Sequence, residues 1–292
     1  MNNKNQMKKR EIHRSKNDFL GDLWANYKRW IMKFLRSPHQ VIMNLLNPII
    51  FLVMFTEIFG GVVTGSITSA IGGSEFNYTT FLLPAIAMQV AITTGQGSGI
   101  GLVRDIDEWI FEKVMVSPMN KAAVFLGKTF SEISRIAVQI LIILGLGIVL
   151  GANISTGFLG VIGIILVGML FSIIFISLTT AIAMKTKDQE AMMSIMMPIM
   201  FPLLFLSSAF LPLDIVPGWI QNIARFNPVT YGVDASRALI LGKDVSTVLE
   251  VNAFTGMWNT IIPAIIVLLV YITIIGSIAI YTIKKETTSE VK

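Results

Sequence analysis

The chain has 292 residues, 53% of them apolar and only 14% charged, with a mean hydropathy of +0.70. These values exclude an ordinary soluble domain and indicate an integral membrane protein. With no cysteine, it lacks disulfides, thiolate metal sites and cysteine nucleophiles. A net charge of +5 could serve nucleic-acid binding, but the basic residues lie beside apolar runs, so no nucleic-acid partner is expected.

Residues 1–17 are polar and basic and read as a cytoplasmic tail near anionic headgroups. No cleavable signal peptide is expected there. Residues 18–40 form the next unit. Phe19, Leu23, Trp24, Trp30, Ile31, Phe34 and Leu35 alternate with Lys28, Arg29, Lys33 and Arg36, which suits an amphipathic helix in the membrane interface with snorkelling basic stems. Packing on the protein's own loops is the alternative.

A helix needs roughly 20 residues to cross about 30 Å of hydrocarbon. Six stretches qualify: about 41–61, 81–103, 130–151, 158–184, 191–213 and 257–283. Residues 41–283 are therefore read as a six-span transmembrane domain, and 284–292 as a second cytoplasmic tail. Nineteen Lys and Arg residues fall in the N-terminal segment, the second and fourth loops and the C-terminal tail. Three, Arg225, Arg237 and Lys243, fall on the other side. The positive-inside rule then makes both termini cytoplasmic in a multi-pass plasma-membrane protein.

The stretch RDIDEWIFEKVMVSP at 104–118 joins the second and third spans. Wound as one helix it places Ile106, Trp109, Ile110 and Val114 on one side and Asp105, Glu108 and Glu112 on another, and Pro118 ends it. A plain connector needs basic residues for topology but not aromatic ones. The pattern favours a surface that another protein covers.

Loop 152–157 is a tight outer turn. In loop 214–256, Trp219, Ile220, Ile223 and Phe226 recur at helical spacing before Pro228, predicting one or two short helices in or on the outer leaflet. In the second span, Gln89, Thr93, Thr94 and Gln96 lie among Gly95, Gly97, Gly99 and Gly101. That mixture fits either a substrate path or close helix packing. MMSIMMPIMFP at 192–202 includes Met193, Met197 and Phe201. It fits either a surface accepting varied apolar ligands or ordinary span filling, and Pro198 and Pro202 should bend it. Glu57, and Glu132 with Arg135, read as interfacial or internally paired.

Chemistry of its own is not expected. Gly127-Lys128-Thr129 lacks the preceding glycine and strand of a phosphate-binding loop, since Ala122 stands where that glycine belongs. His13 and His39 have no metal-ligand pattern around them, so no catalytic or metal residue is assigned. Asn77-Tyr78-Thr79 and Asn153-Ile154-Ser155 match N-glycosylation triplets, which are common by chance.

The stretch from Arg104 through Glu112, Pro118 and Gly127-Lys128 resembles the second-to-third-span loop of the type-2 family of ATP-binding-cassette (ABC) exporter permeases, the group including daunorubicin-resistance-like permeases. Residues 210–242, FLPLDIVPGWIQNIARFNPVTYGVDASRALILG, are similar to that family's C-terminal signature. Phe210, Pro212, Pro217, Trp219, Asn227, Pro228, Tyr231 and Arg237 are in the expected order, and Asp234 stands where glutamate is common.

The resemblance implies an all-α integral membrane fold with six transmembrane helices, an N-terminal interfacial helix, a cytoplasmic coupling helix and short re-entrant or outer-leaflet helices before the last span. It also implies a coupling role for Arg104, Asp105, Glu108, Trp109, Ile110, Glu112, Lys113 and Pro118 in the groove of a separate ABC ATPase subunit. That partner would hold ATP and Mg; this chain would hold no cofactor. A second permease copy, identical or similar, would complete a transport path for a hydrophobic or amphipathic substrate, with Gln89, Thr93, Gln96, Met193, Met197 and Phe201 as candidate lining. The alternative is an ATP-independent secondary transporter or channel, for which a midplane ionisable residue is missing. An intramembrane enzyme would need a catalytic constellation.

Overall fold

A computed structural model of the chain describes residues 19–71, 77–110, 113, 117, 119–210, 212–213, 216–248 and 254–289. The expected tail at 1–17 and the coupling residues Glu112 and Pro118 lie outside these. The described residues form an all-helical protein. The helices are α1 (Phe19–Leu35), α2 (Pro38–Ile71), α3 (Tyr78–Asp107), α4 (Lys121–Val149), α5 (Gly157–Thr186), α6 (Gln189–Phe205), α7 (Gly218–Ala224), α8 (Pro228–Leu241) and α9 (Trp258–Ser289).

The helix starts are written in short polar side chains. Asn77, Asn120, Asp188 and Asn227 each occupy the N-cap and accept a hydrogen bond from a first-turn backbone N–H, at 3.1 Å for Thr79, 3.0 Å for Ala122, 2.6 Å for Ala191 and 2.9 Å for Val229. This relieves donors that have no intrahelical partner. Asn77 also donates to the Gly151 carbonyl at 3.3 Å, so the first glycosylation triplet is a helix cap. Gly242, with φ of 64°, supplies the left-handed residue that ends α8.

The central element is α3, which packs against α2, α4, α5 and α8. Every residue from Tyr78 to Ile92 is buried in protein. Among the described residues, four segments are long and apolar enough to cross a membrane by length and composition: Val41–Ile58 within α2, then α4, α5 and Trp258–Glu286 within α9. Two of the six expected spans fall outside this set. The polar and glycine-rich α3 is surrounded by helices and does not depend on lipid-facing apolarity. The expected fifth span, 191–213, ends early at Phe205, and α6 reaches only about 26 Å at 1.5 Å per residue. Asn227 explains the stop, because its Nδ2 donates to the Leu203 and Leu206 carbonyls at 2.6 and 2.9 Å and so satisfies the end of α6 from outside.

The other sequence expectations also shift. α4 starts at Lys121, ahead of the expected 130, and its start packs beside α1. Pro228 opens α8 rather than simply breaking a helix, using its fixed φ at the first helical turn. Among the described residues the loop expected to hold one or two short helices has α7 and α8, but α8 is buried against α3, α5 and α9 and does not lie on a leaflet. The connection after α4 is tied down at the same end, with Asn153 N–H donating to Thr80 Oγ1 at 3.1 Å and Ser155 N–H to the Ile240 carbonyl at 2.8 Å.

Candidate coupling and transport site

The 104–118 stretch is not one continuous helix. Arg104 to Asp107 form the last turn of α3, Glu108 is its C-cap, and Trp109 adopts a left-handed φ of 57°. The Trp109 N–H donates to the Ile106 carbonyl at 2.9 Å, and its own carbonyl accepts from Lys113 N–H at 3.4 Å. A new helical turn therefore begins at Trp109 and contains Ile110 and Lys113. A bulky residue in the left-handed region is strained, and this one is 70% exposed. Asp107, Glu108 and Lys113 are exposed beside it.

Asp105 is the exception in this group. It is only 3% exposed and accepts from Arg29 Nη2 at 3.0 Å and Lys33 Nζ at 2.9 Å. Both donors belong to α1. Asp105, expected at a partner surface, has its charge satisfied within the chain. Beneath the pair, the Trp30 ring lies 5.2 Å from Arg29, 5.0 Å from Lys33 and 5.1 Å from Lys128, an arrangement suited to cation–π attraction. Lys128 is buried and donates to the Ser98 carbonyl at 2.7 Å. Gly127 lies where a Cβ would meet the Leu23 carbonyl at 2.6 Å, so α1 crosses α4 there at backbone distance. Gly127-Lys128-Thr129 is therefore a helix crossing and a buried cation. Asp22 completes the contact by accepting from Asn120 N–H at 2.8 Å, and Tyr27 meets Ser134 at 3.2 Å.

Farther along α3, the glycine pattern resolves into two faces. An added Cβ on Gly95 would lie 2.8 Å from Phe175 Cβ, and on Gly99 2.9 Å from Thr179 Cβ, so that face receives α5. Thr179 Oγ1 donates to the Gly95 carbonyl at 2.8 Å across the seam. Gly97 and Gly101 face Arg135 and Trp30. Glu132 and Arg135 pair at 2.9 Å, as the sequence suggested. Thr94 Oγ1 donates to Gln139 Oε1 at 2.6 Å.

The six candidate lining residues are not gathered in one chain. Gln89 is buried, with no hydrogen-bond partner for Oε1 among the described residues. Thr93 bonds to carbonyls of its own helix, and Gln96 is half-buried. Met193, Met197 and Phe201 lie exposed on α6.

At the opposite end, the 210–242 stretch is largely an internal scaffold. Arg237, nearly fully buried, lies 3.8 Å over the Phe81 ring, donates to the Ser208 carbonyl at 3.0 Å and stands 3.5 Å from Asp234. Asp234 accepts from Ser208 Oγ at 2.7 Å, Thr247 N–H at 3.1 Å and Thr247 Oγ1 at 2.5 Å. Tyr231 donates to the Arg225 carbonyl at 2.6 Å. Phe210 and Pro212 are buried, whereas Pro217 and Trp219 are exposed. Nearby, burial pushes the Asp244 carboxyl up, but hydrogen bonds from Thr260, Asn259 and Ser246 N–H outweigh it and hold the group below the usual carboxylate range. Sequence reasoning missed Asp22, Ser208, Thr247 and Asp244. Each is a short polar residue in an unremarkable context, and only its distant partner gives it meaning.

These features are those of a helical integral membrane protein, in which apolar helices surround a polar, glycine-rich central helix that ends in a strained exposed turn. The chain belongs to the ABC-2 type transporter family, whose model matches residues 21–241. It is 32% identical over 238 residues, 80% of each chain, to a daunorubicin resistance ABC transporter permease protein of Streptomyces coeruleorubidus. It is 25% identical to a probable doxorubicin resistance ABC transporter permease protein of Mycobacterium tuberculosis, covering 78% of this chain and 79% of that one. It is 26% identical to a putative transport permease of Cyanophora paradoxa, over 76% and 74% of the respective chains.

Proposed function

We propose that the chain is the transmembrane subunit of an ABC exporter, moving a hydrophobic or amphipathic substrate out of the cytoplasm or inner leaflet while separate ATPase subunits hydrolyse ATP. The observation that carries this reading is the exposed, left-handed Trp109 where α3 ends. Strain of this kind persists where surrounding structure or function requires it. An exposed indole on a stiff turn, continuous with the most buried helix, suits a push from a docked partner. Arg104, Glu108, Trp109, Ile110 and Lys113 would meet the ATPase, with Glu112 and Pro118 following, while Asp105 holds the turn to α1. ATP and Mg belong to the ATPase.

Six crossings follow if α3 and α6 are added to the four apolar spans, with residues 207–210 extending the fifth. Lys121 at the start of α4 and Lys284 near the end of α9 line one groove. The start of α4, the end of α9 and α1 therefore share the basic end, as an even number of crossings requires, and the charge bias makes that end cytoplasmic. On α1, Leu20, Trp24 and Leu35 form an exposed apolar stripe beside the face that packs on the bundle, which suits seating in the headgroup region. A second permease copy, identical or related, covers the exposed Met193, Met197 and Phe201 face of α6. The transport path then forms between copies, where a polarisable methionine surface tolerates varied apolar substrates.

Co-purification with an ABC ATPase subunit of the same genome tests the reading. A stable complex with substrate-stimulated ATP hydrolysis is expected, and Trp109→Ala/Ile110→Ala should abolish the stimulation. Transport that proceeds on an ion gradient without ATP would instead identify a secondary transporter.

A further inference from the structure

A groove of about 940 Å³ opens between α4, α5 and α9 at the basic end. It lies on a different part of the molecule from the exposed α6 face and from Trp109. Its walls are apolar, with Ile173 and Ile176 from α5 facing Ile280 and Ile283 from α9, and Lys121 and Lys284 also line it. The α9 hydroxyls on this wall are turned back on their own helix: Thr273 donates to the Leu269 carbonyl at 2.8 Å and Ser277 to the Thr273 carbonyl at 2.6 Å. The α9 side therefore asks for no polar partner at these two positions; Lys128 and Thr129 of α4, which also line the groove, are likewise bonded to backbone carbonyls, and Ser177 and Thr180 of α5 add two hydroxyls to the opposite wall. Charge is supplied by lysines, at the start of α4 and near the end of α9, the level at which the chain leaves the apolar part of its spans.

We infer that this groove binds an anionic phospholipid of the inner leaflet, with an acyl chain between α5 and α9 and the phosphate between Lys121 and Lys284. Two features choose this occupant over a protein helix or a neutral lipid. The cations sit at headgroup depth while the walls are apolar, the division of an amphiphile rather than of a packed helix. Lysine ammonium groups attract phosphate through charge. The inference rests on membrane seating with the basic end at a headgroup layer, and not on coupling to ATP.

The test is lipid retention by native mass spectrometry, on the full chain extracted from vesicles containing equal phosphatidylglycerol and phosphatidylcholine with the same acyl chains. Wild type should retain phosphatidylglycerol selectively. Lys121→Ala/Lys284→Ala should lower that retention about tenfold to thirtyfold, each lysine near the surface contributing roughly fivefold. A Cβ added at Gly276 meets nothing within 4 Å, so Gly276→Phe should fill the groove and displace the lipid. The lysine variants alter exposed side chains and keep the test standing if Gly276→Phe does not fold. Equal retention of the two lipids, or unchanged phosphatidylglycerol retention in the lysine variants, overturns the inference. So does efficient Ser277→Cys self-cross-linking in native membranes, which would make the groove an interface between copies; the absence of native cysteines makes that readout unambiguous.

Discussion

Lys33 on α1 donates to Asp105 on the last turn of α3 at 2.9 Å across 72 residues of sequence. The bond ties the N-terminal helix to the C-terminal end of the central helix, next to the exposed turn at Trp109.

Asp105→Ala should therefore destabilise the protein by about 1–2 kcal/mol, a modest value because Arg29 and Lys33 are each more than a third exposed and regain water. Lys33→Ala on the Asp105→Ala background should add little. Thermal unfolding of the purified chain, arranged as a double-mutant cycle, measures the coupling; full additivity would mean that the pair contributes nothing.

Trp109→Gly separates backbone from side chain. Glycine adopts the left-handed turn without strain, so folding should be unharmed or slightly improved, whereas transport and ATPase stimulation should fall at least about tenfold if the indole anchors a partner, an anchor residue being worth 2 kcal/mol or more. Transport assays beside unfolding curves distinguish the two; retained transport would remove Trp109 from the coupling surface.

Gly95→Ala and Gly99→Ala place a Cβ within 2.9 Å of atoms on α5 or α6. Each should cost about 1–3 kcal/mol by overpacking. Gly145→Ala meets nothing within 4 Å and should be neutral or stabilising by up to about 1 kcal/mol. The contrast within one set of unfolding measurements checks the α3–α5 seam.

Asn227→Ala removes the α8 cap and both donors to the end of α6. A loss of about 2–3 kcal/mol is expected, from the cap and the carbonyls left without a partner. Arg237→Lys should also destabilise despite conserving charge, because one ammonium cannot stack on Phe81 and reach Ser208 in the same planar fork.

Asp244 provides a pH handle. Its pKa is held below the ordinary value in the folded chain, so its anchoring of Asn259 and Thr260 is present above the unfolded pKa and is lost as pH falls through the folded one. A Val245→Cys label should become more accessible in acid, and Asp244→Asn should flatten that dependence.

The membrane class, most of the apolar spans and the basic end were legible along the chain, whereas the capping roles of Asn77, Asn120, Asp188 and Asn227 appeared only in the structure. The former depend on local hydropathy and charge density. The similarity at 210–242 likewise pointed to the family, but not to what Asp234 and Arg237 touch. The early end of α6 was hidden because its last carbonyls are satisfied by Asn227 from another helix. The inward turn of Asp105 was hidden because its charge looks the same whether its partner lies on α1 or on another protein. Hydropathy adds up residue by residue, so the sequence alone determined that this chain belongs in a membrane. Which helices become neighbours is decided by close approach at Gly95, Gly99 and Gly127 and by buried ion pairs, so only the tertiary structure decided that Asp105 is a lock and that Trp109 is the exposed turn.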